Sequence, residues 1–364
     1  MQTPSLSRRA LLAATLLIPL TGCGDTTAAP SGTNGGAAGL SSANILADPA
    51  SYRGPSTAHL QQSGVRPITD SPQPKLPRVM VDSQGTRVEV KDVSRILPLD
   101  LYGSLSRIVF DLGLGKNVVG RDVSSEFAEV KDRPLVTQNG HQLNAEAILQ
   151  LNPTLILTDS SLGPWDVVLQ MRDAGIPVVV VDSRRSISST PELIRQVANA
   201  VGLPDEGEKL ASRTAKEIET KIAEIKSAIP QGSKPLRMMF FYARGGSGTY
   251  YIFGKGSGTD DLIKALGGVD IASEIGWDGM KPMTDEAFLQ AKPDLLLMMT
   301  GGLESCGGVE GLLDRLPAIA LTPAGQNNRI VDMDDTDILS FGPNTAQVLD
   351  ALAVAIYAPT PKAN

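Results

Sequence analysis

Leu143-Asn144-Ala145-Glu146-Ala147-Ile148-Leu149-Gln150-Leu151-Asn152-Pro153-Thr154-Leu155-Ile156-Leu157 is echoed further along the chain by Met283-Thr284-Asp285-Glu286-Ala287-Phe288-Leu289-Gln290-Ala291-Lys292-Pro293-Asp294-Leu295-Leu296-Leu297. Glu, Ala, Leu, Gln, Pro, Leu and Leu coincide at one constant offset, where average residue usage gives about one coincidence by chance. Each copy reads as a short helix capped by Asn144 or Thr284, a proline break and a buried strand. A unit of that kind, present twice, predicts two similar α/β lobes.

The flanking sequence agrees. Val79-Met80-Val81 and Arg87-Val88-Glu89-Val90 alternate around a turn as a hairpin does. Ile96-Leu97-Pro98-Leu99, Val118-Val119-Gly120, Leu155-Ile156-Leu157 and Val178-Val179-Val180-Val181 are short apolar runs with helical patterns between them. Buried strands alternating with helices indicate a parallel sheet covered on both faces. Between the lobes, Leu210, Thr214, Ile218, Ile222 and Ile225 recur at helical spacing, with Pro204 at the start and Pro230 just past the end. A helix over 204–229 would span about 39 Å at roughly 1.5 Å per residue, enough to cross both lobes, and a single passage makes a stiff hinge. The expected organisation is a signal segment over 1–22, Cys23 and a flexible tether to 76, a first lobe over 77–203, the linking helix over 204–230, and a second lobe over 231–358.

The N-terminus is a targeting segment. Arg8 and Arg9 precede a short apolar run from Ala10 to Leu20, followed by Leu20-Thr21-Gly22-Cys23. The run is too short to span a bilayer. Small residues before a cysteine resemble the lipobox of bacterial lipoproteins, whose cysteine carries the acyl chains. Ser7-Arg8-Arg9-Ala10-Leu11-Leu12 fits a twin-arginine as well as a general export signal. From Gly24 to Leu76 small and polar residues dominate, which predicts a tether; His59 falls within it.

With 364 residues, 2 Cys, 2 His and a formal net charge of −7, the chain has no disulfide framework, no multi-His metal cage and no basic surface for nucleic acid. Cys306 is the thiol left over once Cys23 is acylated, and it is expected to be idle. No Gly-x-x-x-x-Gly-Lys-Ser/Thr stretch occurs, so the chain carries no P-loop for a nucleotide.

Leu236-Arg237-Met238-Met239-Phe240-Phe241-Tyr242 is an apolar strand that ends in a tyrosine, before the glycine-rich Arg244-Gly245-Gly246. Asn139-Gly140-His141-Gln142 is a loop ahead of the first repeat helix. In α/β folds, ligands bind beyond the carboxyl ends of the strands, which suits Tyr242 at the end of its strand, while His141 lies in a loop on the first lobe.

Over residues 78–358, together with the lipobox, the chain resembles the substrate-binding lipoproteins of ABC importers, of the class with two lobes joined by one backbone helix. Within that class it is similar to the haem-binding branch. The resemblance implies that His141 and Tyr242 ligate hemin iron from opposite faces, and haem iron accepts either residue. It implies ferric haem b as transported ligand, an ABC permease with ATPase subunits and upstream haem donors as partners, a monomer anchored extracytoplasmically on the cell membrane, and no enzymatic activity. Glu146 and Glu286, duplicated in register, would dock on the permease.

Arg244, on the same face as Tyr242 two residues earlier, is expected to hydrogen-bond the phenolic oxygen and favour its ionised form. Met298, Met299 and Trp165 are candidate pocket walls, and Arg121, Ser124 and Lys281 candidate propionate partners. Tyr250, Tyr251 and Trp277 have no assigned place. A siderophore or cobalamin binder is the alternative within the class; a secreted hydrolase using Cys306 or a serine with His141 is the alternative outside it.

Overall fold

The computed structural model describes residues 39–61 and 64–360. The signal segment, Cys23 and the tether as far as residue 38 lie outside the described residues.

The first lobe is built on a parallel sheet of Ile96–Leu99, Leu155–Thr158 and Val178–Val180, with Leu155–Thr158 in the middle. Every residue of the three strands is buried, because helices cover both faces. Ile96, Leu155 and Leu157 pack with Ile108, Leu193 and Leu210 on one face. Leu97, Leu99 and Ile156 pack with Ile148, Val168 and Met171 on the other. The expected hairpin forms from Arg78–Val81 and Arg87–Val90, its turn held by Asp82 Oδ1, which accepts from the Gln84 and Thr86 amides.

The second lobe repeats the plan on a larger sheet. Its strands lie in the order Ser56–Ala58, Ile330–Met333, Leu295–Met299, Arg237–Arg244, Thr249–Phe253, Met280–Pro282. The first three neighbouring pairs are parallel and the last two antiparallel. The repeat is visible in the caps: Asn144 accepts from the Ala147 amide at 3.1 Å, and Thr284 accepts from the Ala287 amide at 3.2 Å. The helices they start, Ala145–Gln150 and Asp285–Ala291, each lead to the central strand region of their lobe.

The hinge helix runs over Pro204–Ala228. Its first half buries Leu210 and Ala211 in the first-lobe core, and its second half buries Ile218 and Ile225 in the second-lobe core. Buried aliphatic side chains are each worth about 1.5–3 kcal/mol, so the two ends are anchored separately.

The tether expectation is corrected from residue 39 onward. Leu40 is buried against the second lobe, and Ser56–Ala58 adds a parallel edge strand to it, with Ser56 opposite Val331 and Ala58 opposite Met333. The Ser56 hydroxyl donates to the Ala355 carbonyl at 2.7 Å and accepts from the buried Arg329. His59 is exposed beyond that strand. The segment then reaches the first lobe, where the Ile68 amide donates to Asp111 O and the Lys75 amide to Gly202 O, both at 2.7 Å. The chain therefore passes between the lobes twice, once through the hinge helix and once through this N-terminal segment. The expectation of a single passage does not hold.

Candidate ligand-binding cleft

Strand register decides what faces the cleft. Tyr242 pairs with Tyr251, Tyr251 with Pro282, and Met299 with Met333. Leu297 pairs with Phe240, so two residues on Met299 lies beside Tyr242. Met333, Met299, Tyr242, Tyr251 and Pro282 thus form one row near the carboxyl ends of the parallel strands, all on one face. Phe253 adds a third aromatic on that face, its ring 6.1 Å from Tyr242. Tyr242, Tyr251, Phe253 and Met299 are half-buried, as side chains that border an opening are.

The next residue along each strand faces the other way. Met298 is fully buried in the core behind the sheet with Phe241, Phe288 and Ile319, so its assignment to the pocket wall is corrected: it is a core residue. Tyr250 stacks on Phe241 at 6.1 Å in the same rear layer, and Trp277 packs there too, under Lys281. Cys306 is buried among the same residues.

On the first lobe, His141 lies at the tip of a small hairpin made by Thr137–Gln138 and Gln142–Leu143. Asn139 and Gly140 turn the chain with φ of 47° and 86°, the left-handed backbone that Asn and Gly adopt most readily. The hairpin is held from below, where the Leu143 amide donates to Gly163 O at 2.6 Å. Trp165 begins the helix Trp165–Asp173 two residues after Gly163 and is half-buried against the first-lobe core, with the Arg172 guanidinium over its ring. It belongs to the same rim as the hairpin, and its side chain is engaged with that rim. Arg121 spends its guanidinium on the carbonyls of Lys131, Asp122 and Ser125, which leaves it a structural role. Ser124 presses its carbonyl against Gly103.

Electrically the cleft is organised around Arg244. Its guanidinium lies over the Tyr242 ring, 4.7 Å from the centroid. It donates to the Ala243 carbonyl at 3.1 Å and to Asp335 at 2.9 Å. The expected hydrogen bond to the phenolic oxygen is not formed among the described residues; the cation sits on the ring face instead. Arg244 also acts across the cleft: partial burial first, then the Arg244 charge, holds the His141 imidazole below its ordinary pKa. A neutral imidazole has a free nitrogen lone pair, which is what a metal needs.

Below the cleft the lobes meet. The Ser104 hydroxyl donates to the Ser340 carbonyl, and Ser188 donates to Asp261 at 3.1 Å. Gly258 touches the Arg185 carbonyl so closely that a Cβ would sit 2.2 Å from it. Arg185 is buried and pairs with Asp100 at 3.2 Å and Asp159 at 2.5 Å. Burial and the neighbouring Asp100 push Asp122 up to about 8.

Two repeated lobes, a helical hinge and a cleft at the carboxyl ends of both sheets are the architecture of a binding protein, and the family model described as "Periplasmic binding protein" matches residues 101–336. The chain belongs to the periplasmic binding protein family. Within this family it is of the two-lobed, single-helix class, a transporter component and not an enzyme. Among solved structures, this periplasmic binding protein is similar to the heme binding protein HmuT, with 45% identity and a TM-score of 0.80 over 85% of this chain and 99% of that one. Further structures of that protein carry alanine in place of an arginine, a tyrosine or a histidine. It is also similar to the periplasmic heme-binding protein RhuT from Roseiflexus sp. RS-1, with 36% identity and a TM-score of 0.67 over 73% and 98% of the two chains. A curated relative, the uncharacterized ABC transporter substrate-binding lipoprotein YvrC of Bacillus subtilis (strain 168), is 26% identical over 288 residues, 78% of this chain and 87% of that protein. Among the described residues, no helix is long and apolar enough to cross a membrane.

Proposed function

We propose that this protein captures hemin between its lobes, with His141 and Tyr242 as axial ligands, and passes it to an ABC permease. The observation that carries the reading is that one cation, Arg244, lies on the Tyr242 ring and also disfavours the charged form of His141, which ties two ligand-type side chains from different lobes to one space. Porphyrin occupies four positions on iron, so one ligand from each lobe completes the shell. Ferric iron would itself favour the phenolate form of a tyrosine ligand. The row of Met299, Tyr242 and Tyr251, with Phe253 beside it, supplies a flat, half-buried apolar surface suited to a porphyrin. The 45% identity to HmuT supports the same ligand class.

Glu146 and Glu286 are both exposed in the first turn of their helices, one on each lobe, and as a matched pair they would orient the protein on basic residues of the permease. Acylation of Cys23 would hold the protein at the outer face of the cell membrane, and two chains suffice for stable anchoring.

Titrating the purified protein with hemin, with a ferric hydroxamate siderophore and with cobalamin tests the reading. Saturable binding of hemin alone, with a visible spectrum that depends on Tyr242, is expected. Saturable binding of either other ligand in preference to hemin would overturn it.

A further inference from the structure

Beside Tyr242, Arg244 ends the strand Arg237–Arg244, and the segments that follow the two neighbouring strands come up against it. Gly301 is the second residue of the helix Thr300–Ser305 that follows Leu295–Met299, and Asp335 lies in the turn that follows Ile330–Met333. Gly301 has no side chain. Through that gap the Arg244 guanidinium reaches Asp335, and Asp335 closes the gap from the other side: Oδ2 accepts from Arg244 Nη2 at 2.9 Å, and Oδ1 accepts from the Gly301 amide at 2.7 Å. A Cβ on Gly301 would stand 3.0 Å from Oδ2 and 3.2 Å from Oδ1. Gly302 is equally tight, since a Cβ there would come within 2.9 Å of Ala243 O and 3.3 Å of Arg244 Nη1. The carboxylate therefore uses both oxygens and joins the end of Arg237–Arg244 to the first turn of the helix Thr300–Ser305.

We propose that Asp335 is a positioning residue of the ligand cleft, which acts through Arg244 by holding its guanidinium over the ring of Tyr242. This rests on the hemin reading above. The pair is about one-third exposed, 34% and 30% for the two side chains, so as an isolated ion pair it contributes little stability. Its value is geometric. An arginine on a strand end has several rotatable bonds and, unpinned, would spread its charge over the open cleft. Forked to Asp335 and to the Ala243 carbonyl, it keeps one edge engaged and stays within reach of the tyrosine. Arg244 is thereby set beside the Tyr242 ring with no further ordering cost when hemin arrives.

The test uses the mature full-length protein loaded with ferric hemin. It compares wild type, Asp335→Asn, Arg244→Ala and the double variant by hemin transfer to excess apomyoglobin and by the tyrosinate-to-iron charge-transfer band. Asparagine has one acceptor oxygen and cannot serve both the Gly301 amide and Arg244. The expected result is a shifted band and a hemin off-rate raised by roughly threefold, the scale of a partly exposed ion pair, with no further change when Asp335→Asn is added to Arg244→Ala. Gly301→Ala, which retains both charges and crowds the pair, is expected to shift the band in the same direction, and it serves where Asp335→Asn does not fold. An unchanged band and off-rate in Asp335→Asn, or an equal effect of that substitution with and without Arg244, would overturn the proposal while leaving hemin binding intact. A wild-type spectrum without a Tyr242-dependent band would instead remove the hemin reading, and this inference with it.

Discussion

The guanidinium of Arg244 lies over the ring of Tyr242, 4.7 Å from its centroid, rather than at its hydroxyl. A cation on an aromatic face is attracted by the ring's quadrupole, by about 0.5–1 kcal/mol at partly exposed sites, and the ring is held in turn by Phe253 and Tyr251. The arrangement leaves the phenolic oxygen free to face a ligand while the positive charge stays close by.

The same charge also acts on His141, after burial. Partial burial and then Arg244 both oppose protonation of the imidazole, which holds His141 below its ordinary pKa. In the ligand-free protein, imidazole proton resonances followed against pH should show the His141 resonance titrating low. His141→Ala assigns it. Arg244→Ala should move that midpoint upward, toward the value of an unperturbed histidine. A midpoint at or above 6.5 in the wild type would contradict the electrostatic coupling between the lobes.

Met298 and Met299 are adjacent in sequence and opposite in role. Met298→Ala empties a fully buried site and is expected to cost about 2–5 kcal/mol in chemical denaturation, with hemin affinity unchanged. Met299→Ala should cost less stability and change the hemin spectrum or off-rate. The reverse pattern would mean that the face assignment is inverted.

Residues 39–76 are expected to behave as part of the fold. Removing residues 39–58 uncovers the edge of Ile330–Met333, leaves buried Arg329 without its Ser56 partner and exposes the core where Leu40 sat. Losing the Leu40 side chain alone is worth about 1.5–3 kcal/mol, so the urea midpoint should fall clearly. An unchanged midpoint would restore the tether.

Asp122 supplies a pH dependence. Its carboxyl is buried with Oδ1 unpartnered among the described residues, and burial together with Asp100 raises it to about 8, while in the unfolded chain it titrates near the ordinary value of about 3.9. Between those values the folded state binds the extra proton, so the contribution is fully present below the unfolded value and is lost as pH rises toward about 8. Asp122→Asn should flatten the decline in stability between pH 5 and pH 8. An identical slope in the variant would show that Asp122 is ionised in the fold.

The lobes and the hinge were legible because their signals are local. Asn144 and Thr284 announce helix starts, Pro204 fixes the entry to the long helix, and its apolar stripe needs only its own 3.6-residue period. His141 and Tyr242 were legible as a turn and a strand end, read together with a family pattern. What escaped depends on register between distant strands. Ser56-Thr57-Ala58 has no apolar run to mark it, since it is held by a backbone ladder to Ile330–Met333 and one hydroxyl. Tyr251 and Phe253 reach the cleft because they pair with Tyr242 and Phe240, and the parity that separates Met299 from Met298 is set across strands as well. Arg244 was placed at the phenolic oxygen because its counter-ion, Asp335, lies far along the chain.

Ferric hemin bound to the wild type, His141→Ala and Tyr242→Phe, compared by visible absorption, tests the two-lobed ligation most directly. The account predicts a six-coordinate spectrum with a tyrosinate charge-transfer band in the wild type, loss of that band in Tyr242→Phe, a change of the axial set with the band retained in His141→Ala, and weaker hemin retention in both variants. Spectra of all three proteins that superimpose would contradict it.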